Sequence, residues 1–154
     1  MRKLVVVSCG KHKIWDVDPQ AGPTPAKDAY QSTQFKVNRE HAELCSDRWV
    51  ILSAKYGFID PDFIIPSNYD VTFGDPSTNP VATEDLIRQA KDMALDRFNK
   101  VVVLGNQDYS DRVRAALTGV ACEILSPRAR LPTKLANAKI KRMTARCRDR
   151  GTTS

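Results

Sequence analysis

Four segments of the chain carry side chains with chemical potential. The first, Ser8-Cys9-Gly10-Lys11-His12-Lys13, combines a hydroxyl, a thiol, a turn-permitting glycine and two ammonium groups. Backbone N–H groups there, with Lys11 or Lys13, suit a phosphate or carboxylate. The GxxxxGK[ST] spacing of a P-loop is absent. Cys9 has two readings: a nucleophile whose thiolate nearby lysines favour, or an inert buried thiol. The second segment, Ile51-Leu52-Ser53-Ala54-Lys55-Tyr56-Gly57, offers Lys55 and Tyr56 as an acid–base pair if burial shifts the lysine, or a surface lysine beside a packed ring. The third, Ile65-Pro66-Ser67-Asn68-Tyr69-Asp70-Val71-Thr72, supplies Asp70, a carboxylate able to orient a ribose hydroxyl, accept from a base N–H or attack an anomeric carbon. An Asp in such a turn also serves as an Asx-turn or cap residue. The fourth, Gly105-Asn106-Gln107-Asp108-Tyr109, presents Asp108 and a tyrosine able to stack on a base or cover the core.

Three of these segments follow apolar runs that must position them. Lys3–Val7, Trp49–Leu52, Val101–Leu104 and Cys122–Leu125 are rich in β-branched residues and predict strands. Helical spacing occupies Gln34–Cys45, Glu84–Phe98 and Ser110–Leu117, with Thr83 and Ser110 as N-cap candidates. Strands alternating with helices predict a single Rossmann-like α/β domain of three layers, with a mostly parallel sheet of about four or more strands. Right-handed crossovers then gather the strand-to-helix loops on one sheet edge, where open α/β folds bind ligands. That edge would hold Ser8, Gly10, Lys11, Lys13, Ser53, Lys55, Tyr56, Gly57, Asp108 and Tyr109, with Tyr69 and Asp70 near the pocket. The alternation breaks over Ala54–Asn79, rich in Pro, Gly and aromatic residues, a long segment that is functional or carries short elements of its own.

The formal charge of +6 is unevenly spread. Residues 128–154 hold nine basic side chains and one acidic one, while residues 1–127 hold 15 basic and 17 acidic. Within Leu135–Arg148, Ala136, Ile140, Met143 and Cys147 form an apolar stripe, with Lys139, Lys141, Arg142, Arg146 and Arg148 around it. The division is therefore an α/β core over 1–127 and a basic helix with a short tail over 128–154, docked on the same domain. Such asymmetry suits a nucleic acid or another polyanion, or a simply solvated basic face.

A hydrophobic fraction of 42% excludes a disordered chain. No run approaches a membrane span, and the N-terminus reads as a strand and not a signal peptide. Four scattered cysteines and two histidines lack the spacing of a zinc site, and with no signal they point to a reducing cytoplasm. No motif requires a metal or cofactor, and no GxGxxG fingerprint is present.

These segments, in this order, resemble the YaaA-like family, and more closely the small bacterial and phage proteins related to it. Ser8 and Lys11 match its Ser-Pro-Ala-Lys, and Asp28-Ala29-Tyr30 is similar to its Asp-x-Tyr-x-Gly without the glycine. Leu52-Ser53-Ala54-Lys55-Tyr56-Gly57 is similar to its Leu-Ser-Gly-Leu-Tyr-Gly, Tyr69 to the Tyr of its Pro-Tyr pair, and Tyr109 to a later Tyr. The likeness spans roughly residues 3–115 and adds Tyr30 to the candidate ligand residues. Cys9 stands for a Pro and Lys55 for a Leu of that pattern, so neither is essential across the superfamily. Asp70 has no counterpart in it. The resemblance implies protection of DNA under peroxide stress and DNA binding, although the family's extra DNA-binding element does not fit this shorter chain. A weaker likeness is to the Cys-Ser-x-x-Lys-Pro-Tyr segment of archaeosine synthases, which modify a tRNA base.

Three functions are compatible with these residues. One is an enzyme acting on a nucleobase, nucleoside or nucleotide, with Ser8, Lys11 and Lys13 on an anionic group. Tyr56, Tyr69 or Tyr109 would stack on the base, and Asp70, Lys55 and Cys9 would carry the chemistry. The second is a noncatalytic DNA- or RNA-binding or stress-response module using the basic helix. The third is a regulatory or phage–host interaction protein whose polar edge binds an effector.

Overall fold

The computed structural model describes residues 2–125 and 133–151. Its centre is β1 (Lys3–Ser8), whose residues Leu4 to Val7 are fully buried. β1 pairs in parallel with β3 (Arg48–Ser53) on one side and β6 (Lys100–Leu104) on the other, and Val6 faces Val50 and Val103. β7 (Ala121–Ile124) continues the parallel run beyond β6. β4 (Gly57–Ile59) adds an antiparallel edge, giving five strands in the order β4-β3-β1-β6-β7. The protein is thus α/β with a mostly parallel sheet.

The burial of β1 on both sides explains its unbroken apolar sequence. Leu4 and Val6 enter one core with Leu86 and Ala90 of α4 (Thr83–Asp92) and Val113 of α5 (Gln107–Ala116). Val5 and Val7 enter the other with Phe35 and Ala42 of α3 (Thr33–Cys45) and Ile140 of α6 (Thr133–Gly151). Each such Val, Leu, Ile or Phe side chain contributes about 1.5–3 kcal/mol on burial, and the alanines less.

Two expected boundaries shift. The helix expected over Glu84–Phe98 stops at Asp92, because Ala94 adopts a left-handed φ of 57° and a 3₁₀ turn follows at Leu95–Arg97. Its N-cap is Ala82, with Thr83 already helical. α5 begins three residues before Ser110. Asn106 is its cap, accepting from the Tyr109 N–H at 3.3 Å, while the Ser110 hydroxyl donates back to the Asn106 carbonyl.

The long Ala54–Asn79 segment carries short elements. Besides β4 it holds β5 (Ile64–Ile65), which forms a two-stranded antiparallel ribbon with β2 (Thr24–Pro25), and a 3₁₀ turn at Pro76–Thr78. Two short helices, α1 (Ile14–Val17) and α2 (Ala26–Ala29), precede α3. The β4 edge is closed by Gln89 of α4. Its Oε1 accepts from the Phe58 N–H at 2.9 Å and its Nε2 donates to the Tyr56 carbonyl at 3.0 Å, as a neighbouring strand would. Only glycine fits at position 57, where φ is +78° and a Cβ would lie 2.0 Å from Gln89 Oε1. Gly57→Ala is therefore expected to cost about 2–3 kcal/mol, from the left-handed backbone and the lost edge bond. Urea unfolding measures it, and a loss below about 0.5 kcal/mol would contradict this account of the edge.

α6 packs on α3. Ala136, Ile140 and Thr144 are buried, Met143 and Cys147 half-buried. The Thr144 hydroxyl donates to the Ile140 carbonyl, so its oxygen accepts from His41 Nδ1–H at 3.0 Å. Burial holds His41 below its ordinary pKa. Cys45 and Cys147 form a disulfide across this contact, and Cys9 and Cys122 are free. Among the described residues no helix is long and apolar enough to cross a membrane.

Candidate functional site

The parallel register brings the C-terminal ends of β1, β3 and β6 to one edge, as the crossover rule requires. Cys9 prolongs β1 by donating its N–H to the Leu52 carbonyl at 3.0 Å, and its Sγ lies 3.3 Å from the Tyr109 hydroxyl at the start of α5. A cavity of about 310 Å³ opens beside it, lined by Cys9, Gly10, Lys11, Lys13, Tyr69 and Tyr109 together with Asp70, Val71, Thr72, Asp75 and Thr78. A second cleft of about 520 Å³ shares Lys11, Lys13, Tyr69 and Asp70 and adds His12, Asp16 and Asn68.

Tyr69 is the hub of the wall between the strand ends and this space. It is buried, and its segment is anchored by the β2–β5 ribbon just upstream. Its hydroxyl lies 2.5 Å from that of Tyr30 and 3.0 Å from Ser53 Oγ. Ser53 Oγ already accepts from the Lys55 and Tyr56 N–H groups, both at 3.2 Å, so its own proton is directed to Tyr69. Burial first, and the Cys9 sulfur second, push Tyr30, Tyr69 and Tyr109 well above the usual phenol range. At neutral pH these phenols are therefore neutral hydrogen-bonding groups and aromatic walls, not bases.

Lys13, a ligand candidate from sequence, is buried. Its side chain is only 6% exposed, and Nζ donates to the Lys11 and Tyr69 carbonyls at 3.2 and 3.1 Å while sitting 4.5 Å from the Tyr69 ring centre. Its backbone is fixed by Asp16, whose Oδ2 accepts from the Lys13 N–H at 2.8 Å; that bond holds the Asp16 carboxyl below its usual range. Asp75 is likewise engaged, by the Ser77 hydroxyl and N–H, which lower its pKa. Asp70 is exposed at the rim, with no hydrogen bond to its carboxylate among the described residues.

The candidates from sequence therefore divide. Cys9, Gly10, Lys11, Lys13, Tyr69, Asp70 and Tyr109 line one space. Tyr30 and Ser53 lie behind Tyr69 and hold it. Ser8 faces Gly105, where a Cβ would come within 2.6 Å of its Oγ. Lys55 is exposed, its Nζ 5.3 and 5.6 Å from the Tyr56 and Tyr69 ring centres. Tyr56 lines a separate groove with Phe58, Phe63 and Gln89. Gly57 serves the β4 edge, and Asp108 is exposed at the first turn of α5. On α6, Lys139, Lys141, Arg142 and Arg146 are exposed, whereas Arg148 pairs with Glu40. Arg128 and Arg130 lie outside the described residues.

Sequence reasoning did not single out Thr72, Asp75 and Thr78. Their turn closes through Thr78 Oγ1, which accepts from the Thr72 N–H and donates to carbonyls of that same turn. The Asp-Pro-Ser-Thr run at 75–78 was its available signal. Among the described residues no group of three or more His, Cys, Asp or Glu side chains is arranged to hold a metal ion.

Fold and site together define an α/β protein with a polar, tyrosine-walled cleft beside a half-buried thiol at the sheet edge. The chain belongs to the family of unknown function DUF6884, whose model matches residues 4–139. It is 40% identical over 117 residues to the uncharacterized protein YfjM of Bacillus subtilis (strain 168), covering 76% of this chain and 78% of that protein. No solved structure matches. The family and this relative supply no link to the YaaA-like proteins that the segments resemble.

Proposed function

We propose that this protein is an enzyme acting on a nucleobase, nucleoside or nucleotide, by glycosidic cleavage or base modification, on a Rossmann-like three-layer domain. The observation that carries the reading is the convergence of Cys9, Lys13, Tyr69 and Tyr109 on a cavity of about 310 Å³ at the strand ends. That size and mixed lining suit a small aromatic ligand. In this reading Tyr69 or Tyr109 stacks on the base, a contact worth about 1–3 kcal/mol. Cys9 supplies the nucleophile, and Asp70 moves a proton at the rim. Lys55 contributes from outside the cavity, through the Tyr56 and Tyr69 rings it overlies. A turnover screen over nucleosides, nucleotides and modified DNA tests the proposal. It expects at least one of them to be consumed; a screen in which none is bound or consumed would refute it.

A second reading, a DNA- or RNA-binding module, is favoured by the exposed basic surface of α6. Lys139, Arg142 and Arg146 share one helical face by their i, i+3, i+7 spacing. With Lys141 they would give a log–log salt slope of about three to four in magnitude. Filter binding across salt concentrations measures it. Binding that ignores salt, or survives replacement of all four residues by alanine, would exclude this reading.

A further inference from the structure

Resting on the reading of this cavity as a nucleobase-directed site, we infer that its ligand enters as an anion, a nucleotide whose phosphate ester is seated on Lys13. Three observations converge. First, Lys13 is a buried cation with no direct ion pair among the described residues, the Asp16 carboxylate acting on it only from a greater distance. Among the described residues no carboxylate comes within 4.0 Å of Nζ, which is held only by two carbonyls and the Tyr69 ring. Buried charges are ordinarily paired, so a cation solvated by neutral groups at a cavity wall is poised for an incoming negative charge. Second, the neighbouring carboxylates are largely occupied. Asp16 holds the Lys13 backbone and Asp75 holds Ser77, which leaves Asp70 free at the rim to accept from ligand hydroxyl or base N–H groups. Third, the Gly10 and Lys11 N–H groups donate to nothing among the described residues and belong to the same cavity wall. Successive unpaired backbone donors after a strand are suited to phosphate oxygens.

The position of Lys13 adds a direction. It lines both the inner cavity beside Cys9 and the outer cleft beside His12 and Asn68. A phosphate there leaves the inner cavity for the base and sugar, and the outer cleft for whatever the phosphate is esterified to. The ligand is accordingly a nucleotide, free or within a strand, and not a nucleoside or free base. Ser8 takes no part, since it faces Gly105, and Lys11 is exposed and adds only a screened charge.

Calorimetric titration with inorganic phosphate, and with adenosine, guanosine, cytidine and uridine each beside its 5′-monophosphate, tests this. At least one monophosphate is expected to bind about 10- to 100-fold more tightly than its own nucleoside. Lys13→Met should erase that difference, Lys13→Arg should retain part of it, and Lys91→Met, at an exposed lysine of α4 outside the cavity, should leave it within about threefold. Circular dichroism and thermal melting report whether each variant folds. Equal affinity of nucleoside and monophosphate for the wild-type protein overturns the inference even if Lys13→Met does not fold, as does a folded Lys13→Met protein that keeps the preference. Nucleoside turnover without any phosphate preference would overturn the inference and leave the functional reading standing. Lys13-dependent phosphate binding with no response to any nucleoside or nucleotide would overturn the functional reading and keep the anion site.

Discussion

Replacing Cys9 by serine is expected to lower turnover by about three orders of magnitude or more while the protein stays folded. The sulfur sits at the end of β1, beside the cavity, with the Tyr109 hydroxyl 3.3 Å away. Serine preserves the size and the hydrogen bond to Tyr109, so the substitution removes nucleophilicity and little else. Tyr109 cannot take over as a base, because burial and the adjacent sulfur keep its phenol protonated. Asp70→Asn should cost less, about 10²-fold, as expected for a rim group that moves a proton. Initial rates on the substrate returned by the turnover screen decide both, with circular dichroism as the folding control. A Cys9→Ser enzyme within tenfold of wild type would make Cys9 an inert thiol of the wall.

The second large effect is on stability. The Cys45–Cys147 disulfide closes a loop of 102 residues between α3 and α6. Constraining an unfolded chain over about 100 residues is worth about 4–5 kcal/mol in the chain-entropy model, and natural disulfides give about 2–5 kcal/mol on removal. Reduction, or Cys147→Ser, is expected to lower the urea midpoint by a corresponding amount. Among the described residues the α6 dock also includes the buried side chains of Ala136 and Ile140, half-buried Met143, the His41–Thr144 hydrogen bond and the Glu40–Arg148 pair. An exposed ion pair adds about 0–1 kcal/mol, so the cross-link is the largest single contribution to the dock. Thiol titration of the untreated protein should find two reactive cysteines, Cys9 and Cys122. Four reactive thiols, or a midpoint indifferent to reductant, would contradict this.

The residues that were legible in the sequence were those whose environment is local or periodic. The run Leu4 to Val7 announces a strand buried on both faces, and the Ala136–Ile140 spacing announces the buried stripe of α6. β4 was not legible. It is three residues long and exists because Gly57 turns the chain back onto β3 and Gln89, 32 positions later, closes its edge. The end of α4 was hidden because Ala94, a good helix former, adopts a left-handed backbone under tertiary constraint.

The same distinction governs the site. Topology alone placed Cys9 and Tyr109 on one edge, since each follows a parallel strand. The burial of Lys13 depends on Tyr69, 56 residues away, and nothing in the local sequence separates Lys13 from the exposed Lys11. Tyr30 looked equivalent to Tyr69, yet only packing decides which ring meets the cavity and which stands behind it. The pairing of Cys45 with Cys147 follows from the docking of α6 on α3, and their spacing carried no sign of it.

The most direct test of the central claim is a crystal structure of the protein with a bound nucleoside monophosphate. The account predicts density for the base against Tyr69 or Tyr109, within reach of Cys9 Sγ, and the phosphate on Lys13 Nζ. A nucleotide found only along the basic face of α6, with the cavity beside Cys9 holding solvent at saturating ligand, would contradict it.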